Sequence, residues 1–147
     1  MKKVWVLIVM VLFMATNPFI VTATTIRKAV FETVDKGFYS HYEGDNRQQI
    51  IEIYNKSKWK TFWEQHTKGI YPQPPLPIID FTKYYVIVAM DEIRSSGGYA
   101  LEIKEVKVDS AIENRPFNIV IQLSQPGSAT ATTAAITRPY HIIKVRK

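Results

Sequence analysis

At 147 residues, with a formal charge of +6 and no cysteine, the chain is long enough for one domain. It excludes every chemistry that needs a thiol: disulfide, thiolate metal site, cysteine nucleophile and thiol-borne lipid. Hydrophobic residues make up 46% and charged ones 22%, so apolar burial can offset the cost of ordering the backbone, and disorder is excluded as well.

The chain opens with Lys2 and Lys3, an apolar run from Val4 to Met14, the polar break Thr16, Asn17 and Pro18, and then Val21 and Ala23 at the positions a signal peptidase reads. This pattern predicts a signal peptide over 1–23 and one domain over 24–147, exported to the cell envelope or the exterior. An uncleaved anchor is the alternative, and it would place Asn17 and Pro18 in hydrocarbon. Of the formal +6, Lys2 and Lys3 account for two and leave with the segment, so a mild +4 remains.

Ile26 to Tyr42 is strand-like and bent at Gly37. The turn cluster Glu43, Gly44, Asp45, Asn46 predicts a hairpin onto a second strand from Gln48 to Tyr54. Asn55 or Ser57 can then cap a helix. Trp59, Phe62, Trp63 and His66 recur at helical spacing and Gly69 stands where a helix would stop, so a short amphipathic helix of about three turns is expected. Its aromatics form the buried side and Lys56, Lys58 and Lys60 the wet side, which argues against a nucleic-acid surface.

Pro72, Pro74, Pro75 and Pro77 forbid helix and predict an extended connector. Asp80 to Ile93 holds the continuous apolar run of a central strand. Ser95 to Gly98 reads as a turn and Tyr99 to Val108 as an alternating strand, whose phase shifts near Lys104 or Glu105 and suggests a bulge. Asn114 to Pro116 forms the next turn, and Phe117, Ile119, Ile121 and Leu123 share one face of the strand that follows. Gln125 to Thr137 is either a loop or a loop leading into a weak edge strand; Tyr140 to Val145 is the last strand. The sum is an α+β chain, mainly antiparallel β: a meander of about six strands forming a sheet or partly open barrel, with one helix packed on it.

Catalytic chemistry finds no foothold in these motifs. His41, His66 and His141 show no metal-binding spacing, and His66 is expected to be satisfied by local carbonyls while His141 points off a strand. Ser96 in RSSGGY lacks the GxSxG context of a nucleophile, and Gly97-Gly98 lacks the span and lysine of a phosphate loop. Asp91 and Glu92, taken as neighbours on a strand, would point to opposite faces. No catalytic residue, metal ligand or cofactor is therefore assigned.

Pro74–Met90 (PPLPIIDFTKYYVIVAM), Gly97–Ile103 (GGYALEI) and Pro139–Val145 (PYHIIKV), with the helix Trp59–His66 (WKTFWEQH), resemble in order and spacing the PrcB C-terminal domain family of small exported proteins. The resemblance covers roughly Gln49 to Lys147. The family's namesake is a subunit of a bacterial surface protease complex associated with assembling or stabilising the protease rather than cutting bonds. What the resemblance implies is a secreted, non-catalytic protein-interaction module whose partner is a secreted or envelope protein, such as a protease. Members usually carry a glycine just after the strand equivalent to Tyr85–Met90, where this chain has Asp91 and Glu92, and the chain lacks a lipid-anchor cysteine. A different class of function, binding of anionic wall polymer or lipid headgroups through Lys and Arg, is the alternative; salt would abolish the second and spare the first. Loop tips carry specificity, and two segments rich in interface-prone residues stand out for partner binding: Arg94, Ser95, Ser96, Gly97, Gly98 and Tyr99, and the lead-in to the last strand at Arg138, Tyr140 and His141.

Overall fold

The structure, a computed structural model, describes residues 26–109, 117–127 and 131–147. The expected signal peptide and the Asn114–Pro116 turn lie outside the described residues. The elements are β1 (Ile26–Lys28), β2 (Phe31–Gly37), β3 (Gln49–Ile53), α1 (Lys56–His66), β4 (Tyr84–Met90), β5 (Ala100–Asp109), β6 (Phe117–Ser124) and β7 (Tyr140–Arg146).

All strand pairs are antiparallel, so the chain is α+β and mainly antiparallel β, as the sequence predicts. Its connectivity is not one meander. A four-stranded sheet runs β2-β7-β4-β3 and a separate three-stranded sheet runs β1-β5-β6, neither closed into a barrel. The hairpin expected between the first strand and Gln48–Tyr54 does not form, because β2 and β3 sit at opposite edges of the larger sheet with β7 and β4 between them. The strand-like stretch from Ile26 also divides: Ala29 and Val30 lie between β1, which pairs with β5, and β2, which pairs with β7. Likewise the Ser95–Gly98 turn passes the chain from one sheet to the other rather than closing a hairpin.

The larger sheet lies between two covering layers, which explains why YYVIVAM carries no polar alternation. Val86, Val88 and Met90 of β4 join Ile142 of β7 against Trp59, Phe62 and Trp63 of α1. Ile87 and Ala89, with Ile143 and Val145, face the other way onto Leu101, Ile103 and Val106 of β5 and the apolar row of β6. A strand buried on both faces has no reason to alternate. The bulge expected near Lys104 is present: the β5–β6 register shifts between Ile103 and Glu105.

Asn55 caps α1, its side chain accepting the Lys58 amide at 2.9 Å, and Gly69 adopts φ +80° beyond the helix end. The proline connector lies along the helix. The Trp59 indole donates to the Pro77 carbonyl at 3.0 Å and the Trp63 indole to that of Pro74 at 3.2 Å, so each buried ring satisfies its N–H on the segment it packs against. Within Gln125–Thr137 the described residues form loop, with one isolated bridge between Thr137 and Arg94.

Candidate functional site

The two segments singled out in the sequence meet. Arg94 and Thr137 exchange both backbone hydrogen bonds, at 2.8 and 2.9 Å; the Thr137 hydroxyl donates to the Ser96 carbonyl and the Gly97 amide to that of Thr133, each at 2.9 Å. Gly98 sits at φ +88°, where a Cβ would also lie 2.9 Å from Pro126, so glycine is required there. Arg94 is clamped by acids: Nε and Nη2 donate to the Asp91 carboxylate at 2.9 and 3.1 Å, Nη1 pairs with Glu92 at 2.6 Å, and the guanidinium lies 4.7 Å from the centre of the Tyr99 ring. Asp91 and Glu92 do not point to opposite faces. The strand ends at Met90, and beyond it both carboxylates turn to one guanidinium.

Arg94–Tyr99 therefore forms a braced surface loop, flanked by Ile93 and Ile136, which stand 46% and 65% exposed on either side of the bridge. The second segment lies inside. Arg138, only 3% exposed, donates to the carbonyls of Tyr42 (2.6 Å), Asp45 (2.5 Å) and Asp91 (3.3 Å), which compensate the burial that weighs against its charge. Tyr140 and His141 are buried too. The reason is topological: the last strand in sequence is an inner strand of the sheet, so its lead-in is covered and these three side chains are not presented to a partner.

His141 makes a structural link. Its Nδ1 accepts the Ile103 amide at 2.9 Å, so the ring proton sits on Nε2 and is donated to the Thr33 hydroxyl at 2.8 Å. Burial, and secondarily the charge of Lys36, pushes its pKa down.

His66 is not satisfied by local carbonyls. It lies between Ser40, whose hydroxyl is 2.8 Å from Nδ1, and Asp35, whose carboxylate is 3.5 Å from Nε2. Tyr140 donates to the same carboxylate at 3.0 Å. The His66 hydrogen bond holds the Asp35 carboxyl below its usual range against the opposing effect of burial, with Tyr140 adding to the shift. Burial and then the Asp35 charge raise the Tyr140 phenol. The residue types are those of a serine hydrolase, but Ser40 and His66 are 3% and 1% exposed. The Phe62, Trp63 and Tyr140 rings pack on the imidazole, with centroids 5.6, 5.3 and 4.4 Å away. A nucleophile must reach a carbonyl carbon, and this hydroxyl is sealed from one. Sequence reasoning missed the array because its members come from β2, the following loop and the helix end, with no local spacing to mark them.

Among the described residues every buried side-chain nitrogen or oxygen has a hydrogen-bond partner, no group of three or more His, Asp or Glu is placed so that it could hold a metal ion, and no helix is long and apolar enough to cross a membrane. An open groove of about 370 Å³ runs between β3 and α1, lined by Tyr42, Ile51, Thr61, Phe62 and the polar ends of Lys58 and Gln65.

Fold and surface together define a layered α+β protein with a braced loop rim. Residues 84–146, β4 through β7, match the family described as PrcB C-terminal, within the wider stretch over which the sequence resembles it. No curated protein and no solved structure matches the chain.

Proposed function

We propose that the protein is an exported, non-catalytic interaction module that binds a secreted or envelope protein and acts as an accessory subunit of a protease complex. The observation that carries this reading is the braced rim. Exposed Ile93 and Ile136 flank a loop held by four hydrogen bonds to the Thr133–Thr137 stretch, so an apolar anchor pair is presented at little cost in ordering. The family match over residues 84–146 supports the class of partner. Sealing of Ser40 and His66 supports a binding rather than a hydrolytic role.

The test is capture from the exported fraction of the source cells with the immobilised protein, alongside Ile93→Asp/Ile136→Asp. A discrete protein retained through a wash of about 1 M salt and lost from the variant is the expected result, because an apolar interface outlasts electrostatic screening. Retention only of anionic polymer, released by salt, would replace this reading with surface binding. Turnover of ester or peptide substrates that disappears in Ser40→Ala would replace it with catalysis.

A further inference from the structure

Four strands form the edges of the two sheets, and three of them are guarded against pairing. β1 is three residues long and carries Arg27 and Lys28; β2 carries Glu32, Asp35 and Lys36 and is bulged between Thr33 and Asp35; β3 is five residues long and carries Glu52. β6 is the exception: eight residues, FNIVIQLS, with no charge and no proline. Its inward row, Phe117, Ile119, Ile121 and Leu123, packs on the core between the sheets, while Asn118, Val120, Gln122 and Ser124 lie exposed on the outward row. Among the described residues its far edge pairs with nothing.

We propose that β6 pairs antiparallel with β6 of a second copy, joining two three-stranded sheets into one six-stranded sheet across a two-fold axis. The occupant follows from the strand's own pattern. Residues directly opposite in an antiparallel pair point to the same face, so a partner must offer apolar residues opposite the inward row and neutral ones opposite the outward row. With the axis at Val120, Phe117 faces the copy's Leu123, Ile119 its Ile121, Asn118 its Gln122, and Val120 itself. Every apolar residue meets an apolar one, the two carboxamides meet each other, and no like charges are opposed. This is the self-complementarity that a two-fold interface demands. Pairing β3 with its own copy about its central Ile51 would set Gln49 against Ile53 and Ile50 against Glu52, polar against apolar in both pairs.

Sedimentation equilibrium of the purified chain over a roughly hundred-fold range of concentration should show a monomer–dimer equilibrium. Val120→Lys, which opposes two ammonium groups at the axis on a side chain already 42% exposed, should give monomer at every concentration with an unchanged thermal melt. Val120→Thr should still dimerise. Register is read by a pair of double variants: Asn118→Lys/Gln122→Lys should dissociate, whereas Asn118→Lys/Gln122→Glu, which places opposite charges across the axis, should dimerise, more tightly at low salt. If Val120→Lys fails to fold, these doubles carry the test. A wild-type chain that stays monomeric throughout, or a dimer indifferent to charge on the outward row of β6, overturns the proposal.

Discussion

His141 of β7 accepts the Ile103 amide proton of β5 at 2.9 Å, so one imidazole fastens the two sheets together beside the bulge. The bond requires an unprotonated Nδ1, and the balance of the surroundings favours it: burial, then the charge of Lys36 and to a lesser degree that of Lys104, lower the pKa against the opposing charge of Glu102. A histidine held neutral in the fold but free to protonate when unfolded makes the unfolded state bind more protons. Stability from this site is complete above the ordinary histidine range and is lost as pH falls through it toward the lowered folded value. Urea melts at pH 7.5 and pH 5.5 should therefore differ by on the order of 1 kcal/mol from this residue. His141→Phe should remove that part of the difference and cost about 1 to 3 kcal/mol at the higher pH by orphaning the Ile103 amide. An equal pH slope in wild type and variant would show that His141 is not the titrating group.

The indole bonds of Trp59 and Trp63 to Pro77 and Pro74 hold a connector that has no sheet partner. Trp63→Ala empties a packed site and should cost about 3 to 5 kcal/mol. Trp59→Phe keeps most of the apolar volume but loses the donor, at about 1 kcal/mol, and should loosen the connector more than the core. Limited proteolysis should then cut between residues 70 and 80 faster than in wild type, while the near-ultraviolet spectrum of the remaining tryptophans is preserved.

What the sequence made legible were the elements governed by local rules. The spacing of Trp59, Phe62, Trp63 and His66 predicted α1, and the phase slip after Ile103 predicted the bulge. The pairing of strands was not legible, because β2 and β7 meet across more than a hundred residues and no local signal says that the last strand inserts between β2 and β4. The same gap hid the burial of Arg138, Tyr140 and His141, which lie within the layers, whereas Arg94–Tyr99 lies on the surface.

Arg94 and Arg138 should consequently differ from ordinary surface arginines, for which truncation changes stability by about 0.5 kcal/mol or less. Arg138→Ala takes a donor from each of the Tyr42, Asp45 and Asp91 carbonyls; Tyr42 keeps the Gly44 amide and Asp45 the Gln49 carboxamide, so the loss falls chiefly on Asp91 and on the emptied buried site and should cost about 1 to 3 kcal/mol. Arg94→Ala abandons the buried Asp91 carboxylate and should cost about 1 to 3 kcal/mol. Arg94→Ala with Asp91→Asn should recover part of that loss, since the carboxamide needs no counter-charge. Chemical denaturation of the three variants measures this, and a double variant no better than Arg94→Ala would locate the cost elsewhere than in the stranded carboxylate.

The Ser40–His66–Asp35 array tests whether triad chemistry without access is architecture. Ser40 holds two contacts at once, His66 Nδ1 at 2.8 Å and the Tyr42 amide at 3.2 Å, so it fixes the loop after β2 against the end of α1. Ser40→Ala removes both and should lower stability by about 1 to 3 kcal/mol while leaving any background ester hydrolysis unchanged. A nucleophile would behave oppositely, since removing its hydroxyl abolishes turnover by orders of magnitude and can leave the fold intact. Asp35→Asn supplies the complementary test. The carboxyl that His66 and Tyr140 hold below its usual range contributes stability above that range, and this is lost as pH falls through the folded value. The amide cannot titrate, so Asp35→Asn should be less stable than wild type at neutral pH, and the gap should close in acid below about pH 4. Melting temperatures of both proteins from pH 7 to pH 3 measure this. Parallel curves would show that the Asp35 charge is not what the His66 and Tyr140 contacts stabilise.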